Sequence, residues 1–226
     1  AAAWAITAFD PAMGDVLRQG VPGPGLPRVI LGPGTGLGLA YALPMPQGAW
    51  HVNMTFGGHM LAATLTDEQH LIRELVGRLR GDGHTVVPEH LVSGKSLPTL
   101  YRAVCMMEGA QALDLRSAED VLSHAAEAGV RTALRLMHEF LGLFAHEAVI
   151  SGHAFGGLYL DGGMIQRLRE RGLFDIRTVL DFMTLNPVPV VKERLEHLPV
   201  TAITDPFVAM RGLLELDRAG IRKVAA

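Results

Sequence analysis

The sequence predicts an α/β protein. Short apolar runs that read as strands alternate along the chain with segments whose apolar residues recur at helical spacing. Turn-forming glycines and prolines separate the two kinds of segment. The 226 residues are enough for one large domain or two small ones.

Residues 1–20 read as a short helix followed by an irregular connection. Gly20 to Pro27 carries three prolines and three glycines and is a loop. Arg28–Leu31 is a strand running into a glycine-rich turn, and Leu39–Leu43 is a second strand closed by Pro44 and Pro46, so the pair reads as a hairpin. Thr66-Asp67-Glu68-Gln69 has the pattern of a capping box, with Thr66 at the N-cap and Gln69 at N3. Leu71, Ile72, Leu75, Val76 and Leu79 follow at helical spacing, and Gly81 and Gly83 stop the helix. A second helix runs from about Pro98 to Met107, with proline in its first turn. Ser117 and Asp120 start a third, ending at Gly129. A long apolar helix covers Thr132–Ile150, its face including Leu136, Phe140, Leu143 and Phe144. Leu158-Tyr159-Leu160 is a strand that leads through glycines into another helix. Val200–Ile203 is a strand and Val208–Ala219 the last helix.

Composition excludes several functions. The hydrophobic share of 49% and charged share of 19% are those of a folded chain rather than a disordered one. Mean hydropathy is +0.25, which indicates a well-filled core or a subunit interface. No run approaches the ~18 apolar residues of a membrane span. The net charge of -3 shows no basic stripe for nucleic acid. Arg167, Arg169 and Arg171 alternate with Leu168 and Glu170, the pattern of a solvated helix face. The single cysteine, Cys105, allows no intrachain disulfide and reads as a small core residue. A cytoplasmic setting is expected, since the N-terminus has no basic region of a signal peptide. His138-Glu139 and His146-Glu147 lack the second histidine of a zinc HExxH pattern and are read as packing or surface residues.

The most informative segment is Gly32-Pro33-Gly34-Thr35-Gly36-Leu37-Gly38. Four glycines in seven residues permit positive φ and close approach of a ligand to the backbone. Successive N–H groups in such a turn can cradle an anion, and Thr35 adds a hydroxyl. A plain hairpin turn accounts for the pattern equally well. A dinucleotide fingerprint fits poorly, because the glycines precede a strand rather than a helix. Gly94-Lys95-Ser96 suggests a Walker A loop but fails on spacing: the required glycine is Glu89.

Resemblance decides between these readings. Leu31 through Gly38 resembles the second phosphate motif of bacterial glucokinases, and Gly57-Gly58-His59 resembles their Glu-Gly-Gly-His sugar motif. Glu89 through Ser93-Gly94, with Leu97 and Leu100-Tyr101-Arg102, resembles their Glu-x-x-x-Ser-Gly-x-x-Leu-x-x-Leu-Tyr segment. Phe155–Leu160 with Gly162-Gly163 resembles the adenosine-side motif, with Arg167 at the family spacing. Leu198-Pro199-Val200 and Gly212-Leu213-Leu214 resemble the closing strand and helix. The blocks stand in the family's order from about residue 1 to 217.

The resemblance implies the large lobe of an actin-like ATPase (ribonuclease H-like) fold. Residues 1–27 would be a remnant of the inter-lobe helix and loop, residues 28–226 the large domain, and the small N-terminal lobe would be largely missing. It implies ATP-dependent phosphorylation of glucose, with Mg2+ as the expected cation and a homodimer possible through the long apolar helix. Gly32, Gly34, Thr35, Gly36 and Gly38 would hold the ATP phosphates. Gly162 and Gly163 would let adenosine lie close to the backbone. His59 and Glu89 would bind sugar hydroxyls, a carboxylate being able to accept from two adjacent ones.

Several positions depart from the family pattern. The family's catalytic aspartate and its first phosphate loop align before Ala1, and no residue of this chain is assigned as catalytic. Phe56 replaces the glutamate of Glu-Gly-Gly-His, Lys95 and Ser96 replace Pro-Gly, Asp161 replaces Ala and Gln166 replaces Pro. Asp161 is expected to repel a triphosphate. Very weak kinase activity from this chain alone is therefore expected, and a non-catalytic relative that binds nucleotide or sugar is the alternative.

Overall fold

Strand residues that alternate between two apolar faces require cover on both sides, and the chain supplies it. The computed structural model describes residues 1–81 and 85–219. In chain order the regular elements are α1 (Ala2–Ala5), β1 (Gly14–Arg18), β2 (Arg28–Pro33), β3 (Leu37–Pro44), β4 (Trp50–Thr55), α2 (Asp67–Arg80), α3 (Glu89–Val92) and α4 (Leu97–Glu108). They continue as α5 (Ala118–Ser123), α6 (Ala128–Ser151), β5 (Gly157–Leu160), α7 (Gly163–Glu170), α8 (Ile176–Met183), α9 (Pro189–Glu196), β6 (Val200–Ile203) and α10 (Val208–Arg218). Short 3₁₀ turns lie at Ile6–Ala8, Pro11–Met13, Pro46–Gly48 and Gly57–His59.

All six strands form one sheet in the order β1-β6-β5-β2-β3-β4. β2, β5 and β6 run parallel, β2-β3-β4 form an antiparallel meander, and β1 closes the far edge antiparallel to β6. Side chains of successive strand residues point to opposite faces. Val29, Leu31, Leu158, Leu160 and Val200 therefore enter the large core beneath α2–α9. Ile30, Tyr159 and Ile203 enter a smaller core with Ala3, Ile6 and Val208 from the two terminal helices.

The predicted hairpin is present and longer than expected, with Arg28 opposite Ala42 and Pro33 opposite Leu37. The capping box of α2 is present too: Gln69 N–H donates to Thr66 Oγ1 at 3.2 Å, and Gln69 Oε1 accepts from Leu65 and Thr66. Gly81 ends α2 at φ 71°, as a left-handed cap. Gly83 lies outside the described residues.

Some expectations are corrected. Residues 14–18, expected to be irregular, form β1, an edge strand too polar to show an apolar alternation. β4 was not expected, although Trp50, Val52 and Met54 alternate. The helix starting at Ser117 ends at Ser123, not Gly129. α6 begins anew at Ala128, where the Glu127 carboxylate caps it by accepting from Val130 N–H at 2.7 Å. Gly129 is thus an interior residue of α6, packed against Tyr101 and Cys105. α6 buries Leu136, Phe140 and Phe144 in the large core, so most of its apolar face is consumed within the chain. Cys105 is buried, as expected. Among the described residues, no helix is long and apolar enough to cross a membrane.

Candidate functional site

The glycine turn joins β2 to β3 at the carboxyl end of the parallel strand β2, where ligands sit in open α/β sheets. None of its four glycines takes a positive φ, contrary to expectation. Their use here is spatial. Gly34 and Gly38 have no atom within 4 Å of where a Cβ would stand, whereas a Cβ on Gly36 would lie 2.6 Å from Glu89 Oε2. Gly34 N–H closes the turn on Gly36 O at 2.8 Å, so that amide is spent internally. The Thr35 and Gly36 amides have no partner among the described residues.

An open cleft of about 430 Å3 lies against this turn. It is lined by Gly34 and Thr35 of the turn, by Gly94, Lys95 and Pro98 from the segment entering α4, and by Gly163, Met164 and Arg167 of α7. The seven glycine-motif residues are therefore not equivalent. Gly34, Thr35 and Gly163 face the cleft, whereas Gly32 and Gly38 pair with each other in the hairpin. Gly162 has φ 117° and packs so closely on Pro33 that a Cβ would lie 2.5 Å from its carbonyl oxygen. That contact makes Gly162 a close-packing residue between the end of β5 and the turn, whereas a Cβ on Gly163 would meet nothing within 4 Å. α7 opens at Gly162 without a side-chain cap, so free N–H groups of a helix start lie at the cleft wall.

Glu89 starts α3 behind the same turn. Leu37 N–H donates to its Oε2 at 2.9 Å, and Oε1 has no donor among the described residues. The Gly57–His59 turn rests on the other side of Leu37: a Cβ on Gly58 would be 2.2 Å from Leu37 O. Leu37 thus ties both predicted sugar-facing segments to the end of the glycine turn. His59 is exposed, its ring 6.4 Å from that of Phe56. The Phe56 ring is 87% exposed and fills no wall.

Three findings go beyond the sequence reading. Arg167 faces the cleft, while Arg169 pairs with Asp15 at 2.5 Å and Arg171 with Glu119, so the arginine cluster is only partly a solvated face. Lys95, Arg116 and Ser117 line the cleft although no motif assigned them. The signal available for Lys95 was the Gly94-Lys95-Ser96 triplet, set aside on spacing. Burial pushes the Asp161 carboxyl above its usual range, against an opposing hydrogen bond from the Gly162 backbone. His138 and Glu139 are buried packing groups: the His138 ring bridges Leu134 O and the Asp175 N–H.

Comparison with known proteins places this geometry in a family. The glucokinase family profile matches residues 1–218. A glucokinase of Paramagnetospirillum magneticum is 32% identical over 202 residues, covering 87% of this chain and 60% of that protein. A glucokinase-like protein of Xylella fastidiosa is 34% identical over 182 residues, covering 78% and 51%. The chain thus spans between about half and three fifths of these relatives' length. Among solved structures, a glucokinase from an Antarctic psychrotroph superposes with a TM-score of 0.81 at 25% identity, covering 95% of this chain and 65% of that one. A glucokinase of Balamuthia mandrillaris in complex with glucose shares the fold, with a TM-score of 0.75 at 20% identity, covering 96% and 63%. The sheet is accordingly that of the actin-like ATPase fold, and the chain belongs to the glucokinase family.

Proposed function

We propose that this chain holds ATP and glucose on either side of its glycine turn, for transfer of the γ-phosphoryl group to the sugar 6-hydroxyl. One observation carries the reading: Gly34 and Thr35 line an open cleft, and two residues further on Leu37 N–H holds the Glu89 carboxylate. A donor and an acceptor of a phosphoryl group need that adjacency, because such transfer is mainly positioning and charge stabilisation.

The Thr35 and Gly36 amides, the Thr35 hydroxyl and the uncapped start of α7 would take the phosphates. Glu89 would offer its free oxygen to sugar hydroxyls, and His59 would approach from the neighbouring turn. Mg2+ would travel with the triphosphate, held largely by phosphate oxygens and water. Among the described residues no three His, Cys, Asp or Glu converge on a metal site, so the chain's own share of that shell would be small. The general base is assigned to no residue of this chain, whose proposed roles are binding and orientation.

Isothermal titration of the chain with a non-hydrolysable ATP analogue and with glucose tests this. Both ligands should bind. Glu89→Gln keeps an acceptor for Leu37 N–H but removes the charge, and should weaken glucose by roughly ten-fold or more, about the worth of a charge-assisted hydrogen bond. Nucleotide affinity should stay within about two-fold, since the cleft wall is untouched. Glucose affinity unchanged by Glu89→Gln, or no nucleotide binding at all, would refute the proposal.

A further inference from the structure

We propose that Lys95, which lines the cleft on a pinned loop, is a phosphate ligand whose ammonium selects nucleoside di- and triphosphates over nucleosides. The inference rests on the nucleotide reading of the cleft and adds a side chain that the proposed function does not use.

Ser93 and Ser96 are both buried and grip each other. Ser93 N–H donates to Ser96 Oγ at 3.1 Å, Ser96 Oγ donates to Ser93 O at 2.9 Å, and the two hydroxyls lie 3.1 Å apart. Between the serines, Gly94 N–H donates to Gly34 O at 2.8 Å, and a Cβ on Gly94 would lie 3.2 Å from that oxygen. Lys95 is therefore covalently one residue from a direct hydrogen bond to the phosphate turn. Its backbone is pinned while its side chain is exposed between two buried neighbours.

Three cations line the cleft. Arg116 pairs with Asp114 through bonds of 2.6 and 3.0 Å. Arg167 in the last turn of α7 and Lys95 make no ion pair among the described residues, and of these two only Lys95 stands on the loop that is hydrogen-bonded to the glycine turn. An unpaired ammonium lining the same cleft as Thr35 matches a polyanion, and gains little from a neutral purine or ribose edge.

The test compares ligands that differ only in phosphates. Adenosine, ADP and ATP are titrated calorimetrically into the chain and into its Lys95→Met and Lys95→Arg variants, with thermal melts to confirm folding. Lys95→Met should weaken ADP and ATP by roughly three- to ten-fold and leave adenosine unchanged. Lys95→Arg should restore most of the loss, and the salt dependence of ADP binding should be shallower in Lys95→Met than in the parent. Equal losses for adenosine and ADP, or no loss for either, would overturn the role of Lys95 while leaving the nucleotide cleft standing. Failure of the parent chain to bind any of the three overturns the cleft reading and this inference together.

Discussion

Asp161 is the residue whose chemistry fits its place least well. It follows β5, its N–H donates to Leu31 O, and its carboxyl is half-buried with only the Gly162 backbone as an opposing stabiliser. A carboxyl raised above its ordinary value of 3.8 is stabilising in its protonated form. That contribution is complete below the unfolded value and is lost as pH rises through the folded one. Asp161→Asn should therefore melt higher than the parent at about pH 7 and converge with it at about pH 3.5, where both carry a neutral side chain. Melting curves across that range decide the matter, and a gap that is constant with pH excludes the desolvation account. Glu89, Thr35 and Gly163 were named from motif order; Thr35 and Gly163 line the cleft, and Glu89 accepts from Leu37 N–H. Lys95 was hidden because its meaning depends on a hydrogen bond from Gly94 to Gly34, some sixty positions away, which no local spacing encodes.

Among the elements, α6 organises the large core. It packs most heavily on α8, and Gly142 is what allows the close approach. A Cβ there would meet Val179 O at 2.6 Å and Phe182 Cβ at 2.7 Å, atoms of the α8 backbone and its root that cannot rotate away. Gly142→Val should cost about 2–3 kcal/mol by forcing the helices apart, read as a lower denaturant midpoint at unchanged slope. Gly142→Ala should cost less, since alanine recovers about 1 kcal/mol of helix propensity. A neutral Gly142→Val would show that α8 can move without penalty. α2 is fastened differently, by a polar bridge: the fully buried Gln69 caps its own helix and donates to Glu139 Oε2 at 2.8 Å, while Arg135 joins Glu139 to Glu68. The capping half of that arrangement was written in Thr66-x-x-Gln69. The cross-helix half was not, because Glu139 lies seventy positions further on and reads in sequence as a surface residue.

For the whole molecule, the sheet separates two cores of unequal size. The cleft and the Glu89 wall belong to the large one, and α1 and α10 belong to the small one. The small core depends on a close contact, since a Cβ on Gly212 would lie 1.8 Å from Ala1 O. Gly212→Val should part α10 from α1 at a cost of roughly 1–3 kcal/mol. Faster hydrogen exchange should be confined to residues 1–6 and 208–218, with ADP affinity retained because the cleft lies across the sheet. Exchange spreading into β2 or β5 would show that the two cores act as one unit. Taken alone, the sequence determined the α/β class, the hairpin around the glycine turn, the start and stop of α2, and the strands β5 and β6. Each of these rests on residues within a few positions of one another, whose caps, turns and apolar periods act locally. Only the tertiary structure decided which amides of the turn stay free, that Glu89 and the Gly57–His59 turn meet at Leu37, and that Lys95 lines the cleft. Those outcomes depend on strand order and on hydrogen bonds between distant segments, which exist only once the sheet has paired.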